Sequence, residues 1–545
     1  MSNAYFKVPQ PINEPVKAYK PGSPEREELK KKLAELKSKQ IEVPLIIGGE
    51  EVKTGNTEKM VIPHNHSHVL GIYHKAGKKE VDMAVEAALQ ARKEWSELPW
   101  EHRASVFLKI ADLLAGPWRA TINAATMLGQ SKTVYQAEID SAAELVDFYR
   151  FNSYYMAQLM QDQPYSGAGM WNRVEYRPLE GFIFSVTPFN FTSIAGNLPT
   201  APAIVGNVSL WKPASSAVYS AYWLMKLFEE AGLPKGVINF VPGSGGQVGT
   251  PAFTNPNLAG VHFTGSTEVF QNMWKTISDN LKNMKYYPRI VGETGGKDFI
   301  FVHNSADVDA LVVAALRGAF EYQGQKCSAA SRMYIPKSLW KEFKEKYVAE
   351  VGKIKMGDIE DFTNFMGAVI DKGAFKTITE YIKHAKESKD AEIITGGNFD
   401  DSKGYFIEPT TIVTTNPKFK SMEEEIFGPV MTMYVYDDNK LDETLTLCDE
   451  TSPYALTGAI FAQDRNAIVM LANRLRNAAG NFYINDKPTG AVVGQQPFGG
   501  GRASGTNDKA GSAMNIMRWM TARTIKETFD PPKDWRYPFM SEEGK

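Results

Sequence analysis

Between residues 181 and 263, four short apolar runs alternate with helical patterns, and no other feature of the chain restricts its fold as much. The runs are 182–186, 208–211, 237–241 and 261–263; the helical patterns between them are 194–204, 217–231 and 247–253. Strands separated by helices pair in parallel, with each helix serving as the crossover. A parallel sheet is covered on both faces, which is why its strands read as unbroken apolar runs. Such sheets bind ligands beyond the carboxyl ends of their strands. Two glycine turns lie there, Gly243-Ser-Gly-Gly-Gln-Val-Gly249 and Phe263-Thr-Gly-Ser-Thr-Glu268. Each can cradle a phosphate at a helix N-terminus. Neither reproduces G-x-G-x-x-G, so alone they are a weak dinucleotide signal.

A second α/β unit is expected from about 294 to 505. Its strands read at 299–302, 332–335, 411–413, 432–436 and 459–461, with helices at 338–351 and 441–450. A glycine-dense loop, Asn485 to Gly501, follows; a loop of that length inside an ordered domain is usually functional. Ahead of the first unit, residues 1–24 read as a Pro-rich extended arm. Ser23-Pro24 opens a helix with Ser23 as N-cap and Leu29, Leu33 and Leu36 as its apolar stripe. Residues 41–52 read as a hairpin turning at Gly48-Gly49. His64, His66 and His68 are expected in a solvated loop rather than at a metal. From Lys78 to about Met160 the pattern is helical. Within it Asp140, Glu144 and Asp147 share one face, with Glu138 turned away; a solvated stripe is the ordinary reading, the edge of a substrate tunnel the other. Residues 161–177 read as an exposed ribbon, and the tail ends in aromatic and proline residues suited to lying across another surface.

A chain of 545 residues exceeds one core and suggests three or four units. A net charge of −2 offers no electrostatic case for nucleic acid or an anionic membrane. No apolar run approaches membrane-spanning length. Two cysteines exclude a disulfide framework and suit a reducing compartment. The first residues resemble neither a signal nor a transit peptide, so cytoplasm is expected, with the mitochondrial matrix as the alternative if a presequence is missing.

Of the two cysteines, Cys448 has nothing reactive-looking beside it. Cys327 follows Lys326, among Gly324 and Ser328, in surroundings expected to be open and electropositive and to favour the thiolate. A thiolate attacking an aldehyde makes an oxyanion, which a side-chain amide and a backbone N–H can stabilise. Loss of hydride gives a thioester, and a carboxylate can activate water against it. Asn190, in Pro188-Phe-Asn-Phe191, and Glu293, in Gly292-Glu-Thr-Gly-Gly-Lys297, are residue types these steps need.

With these stand Lys212-Pro-Ala214, Phe263-Thr-Gly-Ser266, Gly324-Gln-Lys-Cys327, Glu425-Ile-Phe-Gly-Pro429 and Pro497-Phe-Gly-Gly500. In that order, from about 45 to 520, the set resembles the aldehyde dehydrogenase superfamily. Gly324 to Arg332, Thr489 to Phe498 and Gly505-Thr-Asn-Asp-Lys509 resemble its delta-1-pyrroline-5-carboxylate dehydrogenase branch. The resemblance implies the α/β aldehyde dehydrogenase fold: a Rossmann-like NAD-binding domain (45–160 and 180–293), an α/β catalytic domain (294–511), an N-terminal arm and helix (1–44), and a small β oligomerisation flap with the tail (161–179 and 512–545).

It further implies Cys327 as nucleophile, Glu293 as base, and Asn190 with the backbone N–H of Cys327 as oxyanion hole. Lys212 would hold the adenosine ribose, Gly265 and Ser266 the pyrophosphate, Glu425 the nicotinamide ribose, and Phe427 would line that pocket. Phe191 and Phe498 would sandwich the substrate, while Lys326, Ser328, Gly490 and Ala491 would anchor its amino-acid end. Glu144 would face the α-ammonium or gate the site. Some members carry Ser where Ala491 stands. Ser215 occupies a place where NAD-strict members carry Glu, and serine does not repel a 2′-phosphate. The expectation is therefore NAD with NADP as a weaker substitute, oxidising L-glutamate γ-semialdehyde in the second step of proline breakdown. Another semialdehyde or aliphatic aldehyde is the alternative substrate. A homodimer or higher homo-oligomer is expected, with a proline dehydrogenase as a candidate partner.

Overall fold

The computed structural model describes residues 4–543; the outermost residues of the expected arm and tail lie outside the described residues. Two seven-stranded sheets organise the chain. In the first the order is Arg289–Glu293, Leu258–Thr264, Phe182–Val186, Ser209–Lys212, Ile238–Phe240, Leu45–Ile47 and Glu50–Val52. Its first five strands are parallel, as the alternation with helices requires. Phe182, Ile183 and Phe184 are buried, and the helices Lys78–Trp95 and Thr192–Ile204 both pack on their strand.

The second sheet runs Ala391–Thr395, Thr410–Thr414, Val430–Tyr436, Ala330–Pro336, Asp298–Val302, Thr457–Phe461 and Asn481–Ile484. All its pairs are parallel except that of the edge strand Ala391–Thr395. The strand Asp298–Val302 shows the period of two: Phe299 and Phe301 enter one core, Ile300 and Val302 the other. Each such side chain contributes about 1.5–3 kcal/mol on burial. The sequence reading left out the helices Lys372–Glu387 and Arg465–Arg474 that cover this sheet. A separate antiparallel ribbon pairs Met170–Pro178 with Met520–Thr528, in register from Pro178 opposite Met520 to Met170 opposite Thr528.

Four local expectations are corrected. Only Leu45–Ile47 and Glu50–Val52 form the hairpin; Pro44 interrupts the run, and Ile41–Val43 joins Asn65–His74 in parallel instead. Ser23 takes the extended cap conformation, but its hydroxyl makes no capping bond. His64 is buried rather than solvated, against the Ser131 hydroxyl at 3.1 Å and Asp358 at 3.4 Å, and His66 and His68 lie on the strand Asn65–His74.

The acidic stripe is not solvated either. It crosses a π-helical turn, Glu138–Glu144, and Glu138, Asp140 and Asp147 are all buried. Glu138 accepts from Arg119, Asn123 and Tyr19. Asp140 pairs with Lys132 at 2.5 Å and accepts from the backbone N–H of Thr192 and Ser193. That carboxylate closes the exposed donors at the start of Thr192–Ile204 and so fixes the loop before it, which holds Asn190 and Phe191.

Candidate active site

Two cavities meet at Cys327, the one lining residue they share. The larger, about 730 Å³, lies beyond the carboxyl ends of the first sheet. Its walls include Phe189, Asn190, Lys212, Gly265, Ser266, Glu425 and Phe427. Both glycine turns open into it, and each runs into a helix, Gly245–Phe253 and Thr267–Asp279, capped by the hydroxyls of Ser244 and Ser266. Free N–H groups at two helix N-termini suit an anionic ligand group. Lys212 is buried there with its ammonium on the Pro213 carbonyl at 3.2 Å, and burial pulls its pKa down to about 8. Glu425 accepts from the Gly296 N–H at 2.9 Å, and burial pushes its pKa up to about 7. Phe427 holds φ +58°, a left-handed conformation uncommon for a bulky residue. Ser215 lies outside this lining and is exposed.

The smaller cavity, about 330 Å³, is lined by Glu144, Asp147, Phe191, Lys326, Ser328, Gly490, Ala491 and Phe498 among others. Gly490 takes φ +97°, which a residue with a side chain rarely adopts, and so the loop can turn its backbone inward. Ser328 shares a hydrogen bond of 2.8 Å with Thr489. The ammonium of Lys326 meets Glu321 at 3.1 Å, and Glu321 also meets Arg317 at 2.7 Å. Burial pushes Glu321 up, but the two cations outweigh it and hold the carboxyl below its usual range. Glu144 bonds to the Ser193 hydroxyl at 2.9 Å; burial, then Asp140, pushes its pKa up to about 8.

Cys327 itself departs from the expectation. It is buried, and burial together with Asp298, Glu293 and Glu425 pushes its thiol well up. The neighbouring lysine does not relieve this, because Lys326 turns to Glu321. The loop that carries the thiol is tightly determined: Tyr322 and Gln323 both have positive φ, and a Cβ on Gly296 would lie 2.2 Å from the Cys327 carbonyl oxygen. Strain held in this way tends to mark functional sites. Asn190 is buried and donates from Nδ2 to the Gln325 carbonyl at 3.1 Å. Glu293 lines neither cavity, although Thr294 and Gly295 line the larger. Its carboxylate accepts from the Gly500 N–H at 3.3 Å, and burial pushes it well up.

Comparison with known proteins fits this arrangement. Residues 51–525 match the sequence model of the Aldehyde dehydrogenase family. The chain belongs to the aldehyde dehydrogenase family. Its relatives in that family include the mitochondrial delta-1-pyrroline-5-carboxylate dehydrogenase of Dictyostelium discoideum, 56% identical over 98% of this chain and 97% of that one. The mitochondrial delta-1-pyrroline-5-carboxylate dehydrogenase of Homo sapiens is 50% identical over 97% and 94%. The crystal structure of the Delta-pyrroline-5-carboxylate dehydrogenase from Mycobacterium tuberculosis bound with NAD superposes with a TM-score of 0.96 at 50% identity, covering 99% of this chain and all of that one. The aldehyde dehydrogenase fold expected from the motifs is thus present.

In this aldehyde dehydrogenase the sequence reading missed Glu321, Arg317, Asp298 and Asn13 as site groups. Glu321 had a signal, since it opens the stretch that ends in Arg332. Asp298 had only its place after Lys297; its N–H partner, Thr457, is remote in sequence. Among the described residues no group of three or more His, Cys, Asp or Glu is placed to hold a metal ion, and no helix is long and apolar enough to cross a membrane.

Proposed function

We propose that this protein oxidises L-glutamate γ-semialdehyde, the ring-opened form of 1-pyrroline-5-carboxylate, to L-glutamate, with NAD as hydride acceptor. The observation that carries the reading is the place of Cys327, between a large cavity with two helix N-termini and a small one with charged walls. The large cavity fits a dinucleotide: Lys212 would hold the adenosine ribose, Gly265 and Ser266 the pyrophosphate, Glu425 the nicotinamide ribose, with Phe427 beside it. NAD, when bound, supplies the acceptor that lets the thiohemiacetal become a thioester.

The protein's own residues do the rest. The Cys327 thiol gives up its proton to water as the sulfur attacks the aldehyde carbon, and the carbonyl electrons move onto oxygen. Asn190 has a second amide hydrogen beyond the one on Gln325, and with the Cys327 N–H it meets that oxyanion. Glu293, its pKa raised well above the usual carboxylate range by burial, takes a proton from water in its ionised form as the hydroxide attacks the thioester; Cys327 leaves as thiolate. In the small cavity Phe191 and Phe498 flank the substrate's carbon chain. Lys326, Ser328 and the backbone N–H groups at Gly490 and Ala491 meet its carboxylate, and Glu144 faces its ammonium.

The test follows NADH formation with pyrroline-5-carboxylate, succinic semialdehyde and propanal. A kcat/KM at least about tenfold higher for pyrroline-5-carboxylate supports the reading. Turnover of propanal with none of pyrroline-5-carboxylate overturns it and leaves an aldehyde dehydrogenase of another specificity. Ser215 leaves a 2′-phosphate unrepelled, so NADP is expected to serve more weakly than NAD. The paired ribbon, with Trp171 half-exposed, is a candidate for homodimer contact, which sedimentation would test. Since the Dictyostelium and human relatives are named mitochondrial, the matrix gains over the cytoplasm as the place of work, and a proline dehydrogenase is the expected source of substrate.

A further inference from the structure

The N-terminal arm up to Lys20 forms neither helix nor strand among its described residues, yet part of it is held in place by many bonds. Asn13, Glu14 and Val16 line the small cavity beside Cys327. Asn13 is bonded on three sides. Its Nδ2 donates to Asp147 at 2.7 Å and to the Val493 carbonyl at 2.8 Å, and its Oδ1 accepts from Gln495 at 2.9 Å. The Glu14 N–H donates to the other oxygen of Asp147 at 2.7 Å. The Glu14 carboxylate is bound by Arg119 at 2.6 Å and Arg150 at 2.8 Å. Farther along, the Lys17 N–H and the Tyr19 hydroxyl donate to Glu138 at 2.7 and 2.8 Å. Asp147 and Glu138 are buried acids, and buried carboxylates require donors. The arm supplies them, so the acids and the arm hold each other.

Asn13 alone connects three walls: the arm, the helix Leu145–Leu159 through Asp147, and the loop after Gly490 through Val493 and Gln495. We propose that Asn13 is a specificity-determining residue, clasping the arm across the small cavity so that longer aldehydes are shut out and the loop carrying Gly490 and Ala491 is held against the substrate. An asparagine suits the task, because one planar amide supplies two donors and an acceptor at once. Alanine supplies none, and the arm then keeps only the hold at Glu14 and beyond. The part of the claim that concerns the loop rests on the function proposed above. The part that concerns length does not.

The experiment compares the full-length protein with Asn13→Ala, Gln495→Ala and the double variant. NADH formation is followed with pyrroline-5-carboxylate, propanal and octanal. For Asn13→Ala the ratio of kcat/KM for octanal to that for propanal should rise at least about threefold, and KM for pyrroline-5-carboxylate at least about fivefold. Gln495→Ala, which leaves Asp147 paired, should shift both in the same direction by less. The double variant should add little to Asn13→Ala, since both break one clasp. If Asn13→Ala does not fold, Gln495→Ala carries the test by itself. Wild-type length ratios in every folded variant overturn the clasp. Should the wild-type protein not turn over pyrroline-5-carboxylate, the proposed substrate fails while the octanal ratio still decides the clasp.

Discussion

The two cavities that meet at Cys327 are built by different means. The larger is shaped mainly by backbone: two glycine turns, two helix N-termini and the ends of parallel strands. Its charged groups are few, and Lys212 has no carboxylate on it. The smaller is assembled from side chains of five separated stretches, 13–16, 135–147, 191–194, 317–328 and 487–498. Several of its charges are already paired, Lys326 and Arg317 on Glu321 and Asp147 on the arm. A backbone-built cavity can take one ligand shape in many related proteins. A cavity of paired side chains discriminates, because each pair must be exchanged for an equivalent contact with the substrate or lose stability.

The largest effect is expected where the cavities join. Cys327→Ala should lower NADH formation by at least about a thousandfold with every aldehyde, since the covalent route is gone. A fall confined to one aldehyde would mean that the two cavities do not share their reacting atom. Glu293→Gln comes next, at about a hundredfold in kcat. A burst of NADH comparable to the enzyme present should survive, because only thioester hydrolysis is blocked. Burial holds the Glu293 carboxyl protonated well above the usual carboxylate range, so wild-type kcat should rise with pH as this base loses its proton. The glutamine variant should lack that rise. A variant profile that still climbs in parallel with the wild type would assign the ionisation to another group.

The same division explains what the sequence made legible. Strands 182–186, 209–212 and 258–264 and the two glycine turns are local patterns, and the expected positions match the observed strands to within a few residues. The second sheet was legible in its centre, where Phe299 to Val302 is uniformly apolar, and not at its edges. The small cavity was legible only in part. Its members Phe191, Lys326, Ser328, Gly490, Ala491 and Phe498 followed from the family likeness, and the structure brings all six to one wall system. Their charge states did not follow. Lys326 next to Cys327 suggested an activated thiol, but side chains of adjacent residues need not meet, and Glu321 claims the lysine from a left-handed turn five residues earlier. The acidic stripe suggested solvent because a helix of α spacing would expose it. A π turn and the arm enclose it instead.

Lys326→Met sharpens the contrast on the substrate side. The KM for glutamate semialdehyde should rise at least about tenfold, as expected when a charge-assisted bond to a carboxylate is removed. The KM for propanal, which has no carboxylate, should change by less than about twofold. Equal rises for both aldehydes would make Lys326 a structural partner of Glu321 alone, and the small cavity would then lose its claim to be the discriminating one.

The smallest effect concerns Glu144 and shows how far burial governs that cavity. Its pKa is pushed up to about 8, first by burial and then by Asp140, so the folded protein holds this proton more tightly than the unfolded chain does. Between the ordinary carboxylate pKa and about 8, the folded state therefore binds more protons than the unfolded state, and stability falls as pH rises through that window. Asp147, raised to about 6, and Asp298, raised to about 8, push the whole protein the same way, so a single pH-stability curve does not isolate Glu144. The difference between Glu144→Gln and the wild type does, because the glutamine stays neutral throughout. Relative to wild type, the variant should gain on the order of 1–3 kcal/mol between about pH 5 and pH 8, measured by denaturant unfolding at each pH. A flat difference would mean that Glu144 is ionised in the folded protein at neutral pH. The cavity would then offer the substrate's ammonium a standing carboxylate, rather than an acid that ionises only when the ammonium arrives.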